Sequence, residues 1–397
     1  MLGCLYVLLC IIQVNKSKNS NKIISIKYEK FDNKLSTIIF LGYPSQDLKI
    51  TLNQEKEYSY LTYPKYDLKQ SLTYVYKGEE QVSFFGYSVR GTKISEMIEL
   101  DGNFLMYSDL YFYHFQNNPI ENIGYYGNSI SLAYQFLHNN FSLIHSMKEG
   151  KNINKLNYAF IDKEKKIMLG GIPEKYVLDK YVARCKVNLN HNKFKKWGCN
   201  LNKAIVNNSK VIFDVPSNHY SYFSINEERI FVPEEFMNYL RDNSFASYIS
   251  QEKCKYKNTL SYKYFYCDCR YIDDFPSIIF DFNGYQFELE KNDLFTEAND
   301  FRCNFNIATN IENQEDKTWS FGRVFILKYI SQFDYDRNEI LFYDDKQFGL
   351  YNTKKYYPHF YVELQIYFFI TIMIIITIGI ILICTRIRKL IREKINC

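Results

Sequence analysis

The sequence predicts an all-β chain that ends in one membrane-crossing helix, and three observations carry that expectation. Tyrosine (37) and phenylalanine (32) are dense among the 397 residues. They fall in alternating runs such as KIISIKYEKF, LSTIIFLGY and LKITL, the period-two pattern of half-buried strands. Residues 364–385, LQIYFFITIMIIITIGIILICT, carry no charge over a length that suits a bilayer. An apolar run leading into a polar turn occurs at residues 50–55 (ITLNQE) and again at 211–217 (VIFDVPS), a loose duplication without a fixed repeat period.

The bulk properties set the class. A chain of 397 residues holds two ordinary domains or one large two-lobed unit, and 47% hydrophobic content suffices for a core. A formal charge of +5 is modest at this length, so no nucleic-acid footprint is expected. Cysteine and histidine show no zinc-site spacing, and no cofactor is expected.

The two ends define topology. Residues 2–12 (LGCLYVLLCII) are apolar, too short to span, and followed by polar QVNKSKNSNK. Residues 1–14 are therefore read as a signal peptide, although the basic start of such peptides is missing. After the apolar stretch at 364–385 come Arg386, Arg388, Lys389, Arg392 and Lys394. That basic tail, 386–397, points to the cytosol by the positive-inside rule. The expectation is a single-pass type I membrane protein, its ectodomain in the secretory or endolysosomal lumen or outside the cell. Tyr361 and Tyr367 sit where interfacial aromatics belong.

That compartment governs the cysteines. Of ten, Cys4 and Cys10 lie in the signal and Cys384 and Cys397 at the membrane end. Cys185, Cys199, Cys254, Cys267, Cys269 and Cys303 remain, and an oxidising space implies three disulfides whose pairing the sequence leaves open. Asn140 and Asn207 head glycosylation sequons that this topology would expose, and Asn15 heads a third near the signal. Between residues 23 and 359 the chain reads as strands. Short helices are expected at 132–139 and at 233–242, which opens with Pro-Glu-Glu as helices do.

Seven stretches, in order, resemble the pepsin-like aspartic peptidases. Gly42, Pro44 and Gln46 match the family's first turn. Tyr76-Lys-Gly78 with Gly86-Tyr87 is similar to its flap hairpin, with Tyr76 as the flap tyrosine. Ile167-Met-Leu-Gly170-Gly171 with Pro173 and Tyr176 resembles the close of the first lobe. Trp197 and Asp214 stand for the second-lobe tryptophan and second catalytic aspartate. Phe275-Pro276-Ser277-Ile278 with Asn283-Gly284, Trp319-Ser-Phe321-Gly322-Arg-Val-Phe325, and Phe333-Asp334 complete the set. The resemblance implies a two-lobed β fold with a cleft, an N-terminal lobe over 21–180 and a C-terminal lobe over 181–350.

The resemblance also implies a chemistry. Two aspartates share a proton, one activating water while the other polarises the scissile carbonyl. A threonine after each aspartate locks the two loops together. Counted from Gln46, the first aspartate position is Asn53, and Asp-Thr-Gly-Ser has become Asn53-Gln54-Glu55-Lys56. Asn53 cannot take a proton at working pH. The second loop keeps Asp214 but continues Val215-Pro216-Ser217, without the hydroxyl or the N–H. Asp47 and Glu55 are weak substitutes, one at the strand start and one needing a rebuilt loop. Ser217 and His219 lie near Asp214 but do not form a triad by sequence adjacency. A lone Asp such as Asp214 commonly does no more than start a turn, as Asp and Pro both do.

The sequence thus leads to an ectodomain that keeps the peptidase fold and loses most or all hydrolysis. Its expected partner is an extended peptide or protein segment in the cleft, bound by strand-like pairing, with the protein itself a monomer. A working endopeptidase with an unusual dyad, or a structural surface glycoprotein, are the alternatives.

Overall fold

The computed structural model describes residues 22–395 apart from 32–33, 55–58, 63–65, 85–86, 101–102, 106–110, 116–127, 133–141, 188–195, 208–210, 300, 312–316, 350–354 and 357–358. The signal segment at 1–14, Asn15, Glu55, Asn140 and most of the helix expected at 132–139 lie outside the described residues.

Among the described residues the part before His359 is mostly β, with four sheets and short helices. A ten-stranded sheet is built from residues between Glu29 and Ser131. An eight-stranded sheet and a four-stranded sheet use residues between Gly198 and Phe321. A six-stranded sheet joins strands from both halves in the order Ile24–Lys27, Lys166–Leu169, Asn157–Ile161, Ile330–Asp334, Glu339–Asp344, Tyr181–Lys186. Alternation in sequence becomes two faces here. Tyr158, Phe333 and Ile340 are register partners on one face and enter the main core, while Ala159, Gln332 and Leu341 occupy the other. Trp197 caps the inner face, its ring 5.2 Å from Phe333 and 4.8 Å from Tyr335 between centroids.

Three disulfides pair Cys185 with Cys199, Cys254 with Cys267, and Cys269 with Cys303. The helix expected at 233–242 forms as Glu234–Leu240 behind Pro233, and its two glutamates stand in the first turn where the helix dipole favours them. It runs on through Arg241–Phe245 in π geometry to Ala246–Ser250. At the C-terminal end one helix, His359–Ile395, contains a stretch long and apolar enough to cross a membrane, Phe368–Ile387.

The two halves repeat one pattern. Strand Gln46–Asn53 runs parallel to Asn128–Ser131, which is antiparallel to Ser59–Thr62, itself parallel to Tyr111–Phe115. Strand Tyr220–Phe223 runs parallel to Thr318–Phe321, which is antiparallel to Ile230–Phe231, itself parallel to Arg302–Asn310. Same order, same senses: the duplication is real. Its second copy, however, lies at 220–231 and not at the 211–217 run singled out in the sequence.

Candidate interlobe site

Register fixes which residues correspond. Asn53 is level with Ser131, and Tyr60, seven residues on, is level with Ser129. In the second copy Phe231 is level with Ser320, two before Gly322. Phe223 is level with Phe321, so the next residue, Ser224, stands beside Gly322 with its N–H on the Phe321 carbonyl at 3.0 Å. Ser224 is seven residues before Phe231, as Asn53 is before Tyr60. Ser224 is therefore the counterpart of Asn53, and both are buried at the ends of their strands.

The two strand ends meet. Asn226 Nδ2 donates to Asn53 Oδ1 at 2.8 Å, and the Gln54 backbone N–H donates to Asn226 Oδ1 at 3.3 Å. The buried Gln54 side chain accepts from the Ile225 N–H at 2.9 Å and donates to Tyr158 Oη at 2.7 Å. Gln54 occupies the position where the resemblance puts a locking threonine. Its longer carboxamide reaches across to the other loop and down to the six-stranded sheet together. Burial pushes the Tyr158 hydroxyl well above its ordinary range, so it stays protonated and can both donate and accept. From below, buried Arg323 donates through Nη1 to the Ile225 carbonyl at 2.9 Å. Gly322 leaves room for this, since a Cβ there would meet the Glu227 carbonyl at 2.7 Å and crowd the Arg229 carbonyl more closely still.

Chemically this is an amide cluster. Amides hold geometry well and move protons poorly, so it can orient or brace but cannot supply a general base near neutral pH. The following carboxylates are engaged elsewhere. Glu227 accepts from Tyr222 Oη at 3.2 Å and from Ser320 Oγ. Glu228 pairs with Lys30 of the other half; burial raises its carboxyl, but Lys30 together with Arg323 and Arg229 outweighs burial and holds it below the usual range.

Several sequence expectations need correcting. Asp214 is not part of this junction. It ends strand Val211–Asp214 in the four-stranded sheet, opposite Lys203, with its side chain 79% exposed and Lys203 Nζ 3.9 Å away. The physical reason is the pairing: strand 211–214 adds to the outer four-stranded sheet, whereas the following strand, 220–223, enters the interlobe pattern. Tyr76 is not at the working end of its hairpin. It pairs with Ile94, and the strands stay paired as far as Phe84 with Tyr87, leaving Tyr76 near the base and 59% exposed. Ser217 is exposed and makes no triad with His219, whose Nδ1 accepts from Trp319 Nε1 at 3.2 Å while Nε2 meets Glu235 at 2.9 Å. Asp47 is exposed at the far end of its strand. Asn207 is exposed in the turn after strand Leu201–Val206.

The sequence held one signal for Ser224. The step of seven residues from Asn53 to Tyr60 recurs from Ser224 to Phe231, just before the Pro233 helix. A search for a carboxylate passes over it, because neither of the two corresponding residues, Asn53 and Ser224, is one.

A search of curated proteins finds no match to the chain. A family model described as eukaryotic aspartyl protease matches residues 45–344, most of the sequence and nearly all of the β architecture. With its paired four-strand patterns and the meeting of strand ends between them, the chain belongs to the eukaryotic aspartyl protease family.

Proposed function

We propose that this chain is a membrane-anchored member of the family that binds an extended peptide or protein segment between its lobes and does not cleave it. The observation that carries the reading is the pair Asn53 and Ser224. They stand at the two corresponding strand ends where the family's chemistry needs two carboxylates, and both are neutral. The retained Asp214 points to solvent on another sheet and cannot share a proton with Asn53. Type I topology, with the β domain in an oxidising lumen or outside, accords with the three disulfides, the exposed Asn207 sequon and the apolar helix followed by basic residues.

The test uses the full-length protein in lipid discs with a diverse peptide pool from acidic to neutral pH, read by mass spectrometry. Peptides retained uncut, with an Asp214→Ala variant behaving identically, are the expected result. Cleavage abolished by a transition-state-mimic inhibitor would restore the peptidase reading, and neither cleavage nor retention would favour a structural glycoprotein.

A further inference from the structure

The six-stranded sheet separates the interlobe junction from the membrane helix. On its inner face Tyr158 Oη holds Gln54. On its outer face Leu341 and Tyr343 form a small apolar cluster with Val177, Tyr176, Val182, Ile330 and Tyr356. Tyr356 belongs to the short segment leading into helix His359–Ile395, and it is latched there. Its N–H donates to the Lys180 carbonyl at 2.7 Å, its carbonyl accepts from Asp179 N–H at 3.3 Å, and Lys355 forms a β-bridge with Tyr181 at the sheet edge. The Tyr356 ring meets the Tyr343 ring edge-on at 5.7 Å.

Strand alternation makes this a statement about direction. Along Glu339–Asp344, Ile340 and Phe342 turn to the main core and Leu341 and Tyr343 turn to the latch. The interlobe loops and the root of the membrane helix therefore sit on opposite faces of one sheet. Only residues 357–358 lie between the latch and the helix, and from His359 to Phe368 the helix rises on the order of 14 Å. That is too short a reach for the β domain to swing freely while the latch holds.

We propose that the latch at Lys355–Tyr356 turns the cleft away from the bilayer. Its partner is then a chain presented from the aqueous side, soluble or carried by an opposing membrane, and not a segment emerging beside its own helix. This rests on the reading of helix His359–Ile395 as an anchor and of the interlobe cleft as a binding site.

The experiment places the full-length protein in lipid discs with acceptor-labelled headgroups and a donor at one of two sites, introduced as a clickable amino acid. One is Glu174, exposed on the outer-face side; the other is Glu228, two residues past Asn226. With a sheet layer of about 10 Å or more between them, transfer to lipid is expected to be about twofold or more greater from position 174. In a latch variant, Tyr356→Ala with Lys355→Gly, the two efficiencies should converge. Equal transfer in the unaltered chain, greater transfer from 228, or an unchanged bias in the latch variant would overturn the proposal. A chain that does not stay with the discs overturns the anchoring and the proposal with it. Peptide retention is scored separately on the same discs. Loss of retention with the bias intact refutes the cleft reading, and with it the partner assignment, while leaving the orientation standing.

Discussion

Asn226 Nδ2 donates to Asn53 Oδ1 at 2.8 Å across the junction of the two halves. Asn226 also accepts the Gln54 N–H, so one side chain satisfies two groups of the opposite loop. Asn226→Ala removes both and leaves a buried N–H and a buried carbonyl oxygen short of partners. A loss of about 1–3 kcal/mol is expected, read as a shift in the denaturant midpoint. An unchanged midpoint would mean that water fills the place of the amide.

Gln54→Leu keeps volume but strips the bonds to Ile225 N–H and Tyr158 Oη. Both partners are buried, so about 2–4 kcal/mol of destabilisation is expected. Gln54→Thr should recover part of it, because a hydroxyl can take the Ile225 N–H but cannot reach Tyr158. Full recovery in Gln54→Thr would refute the role given to the longer amide, since the bond to Tyr158 Oη would then contribute nothing.

Glu96 concentrates a second buried network. Its carboxylate accepts from Tyr66 Oη, Ser71 Oγ at 2.8 Å, Thr73 Oγ1 at 2.6 Å and the Met97 N–H at 2.9 Å. Burial, reinforced by Glu96, drives the Tyr66 hydroxyl far above its ordinary range. Glu96→Ala strands all four donors and should cost about 3–5 kcal/mol, with Glu96→Gln costing less. Thermal denaturation of the two variants side by side decides it.

The amide junction does not titrate, so pH acts elsewhere. His219 is held below the ordinary histidine value of 6.5, first by burial and then by Lys317, against the opposing pull of Glu235. Its Nδ1 already accepts from Trp319, and a proton there would set two donors face to face. His114, also buried, is lowered for the same first reason. The unfolded chain then binds more protons than the folded one, so stability is full above about pH 6.5 and falls as pH drops through the lowered folded values. Denaturant midpoints at pH 5 and 7.5 should differ in the native chain, and the gap should shrink in His219→Gln. A gap of unchanged size would place the sensitivity outside His219.

How much of this was legible beforehand follows from what each feature depends on. The β class, the Glu234–Leu240 helix, the six paired cysteines and the apolar C-terminal helix rest on local composition and period, which a sequence displays directly. Asn53 was legible because a short turn and an unbroken strand fix the count from Gln46. Ser224 was not, because its identity is a matter of register against Ser320 and Gly322, nearly a hundred residues away. Asp214 drew attention by its chemistry, and only strand pairing with Lys203 shows that it faces solvent.

The sequence by itself determined the elements: strands from alternation, a spanning-length helix from an uncharged run, and an amide, Asn53, where the resemblance puts the first carboxylate. The tertiary structure decided which strand ends meet, that Gln54 bridges both loops and Tyr158, and that Tyr356 lies on the far face of the sheet that carries them. These are long-range facts. They depend on β register, and a slip of one residue would turn each side chain to the other face.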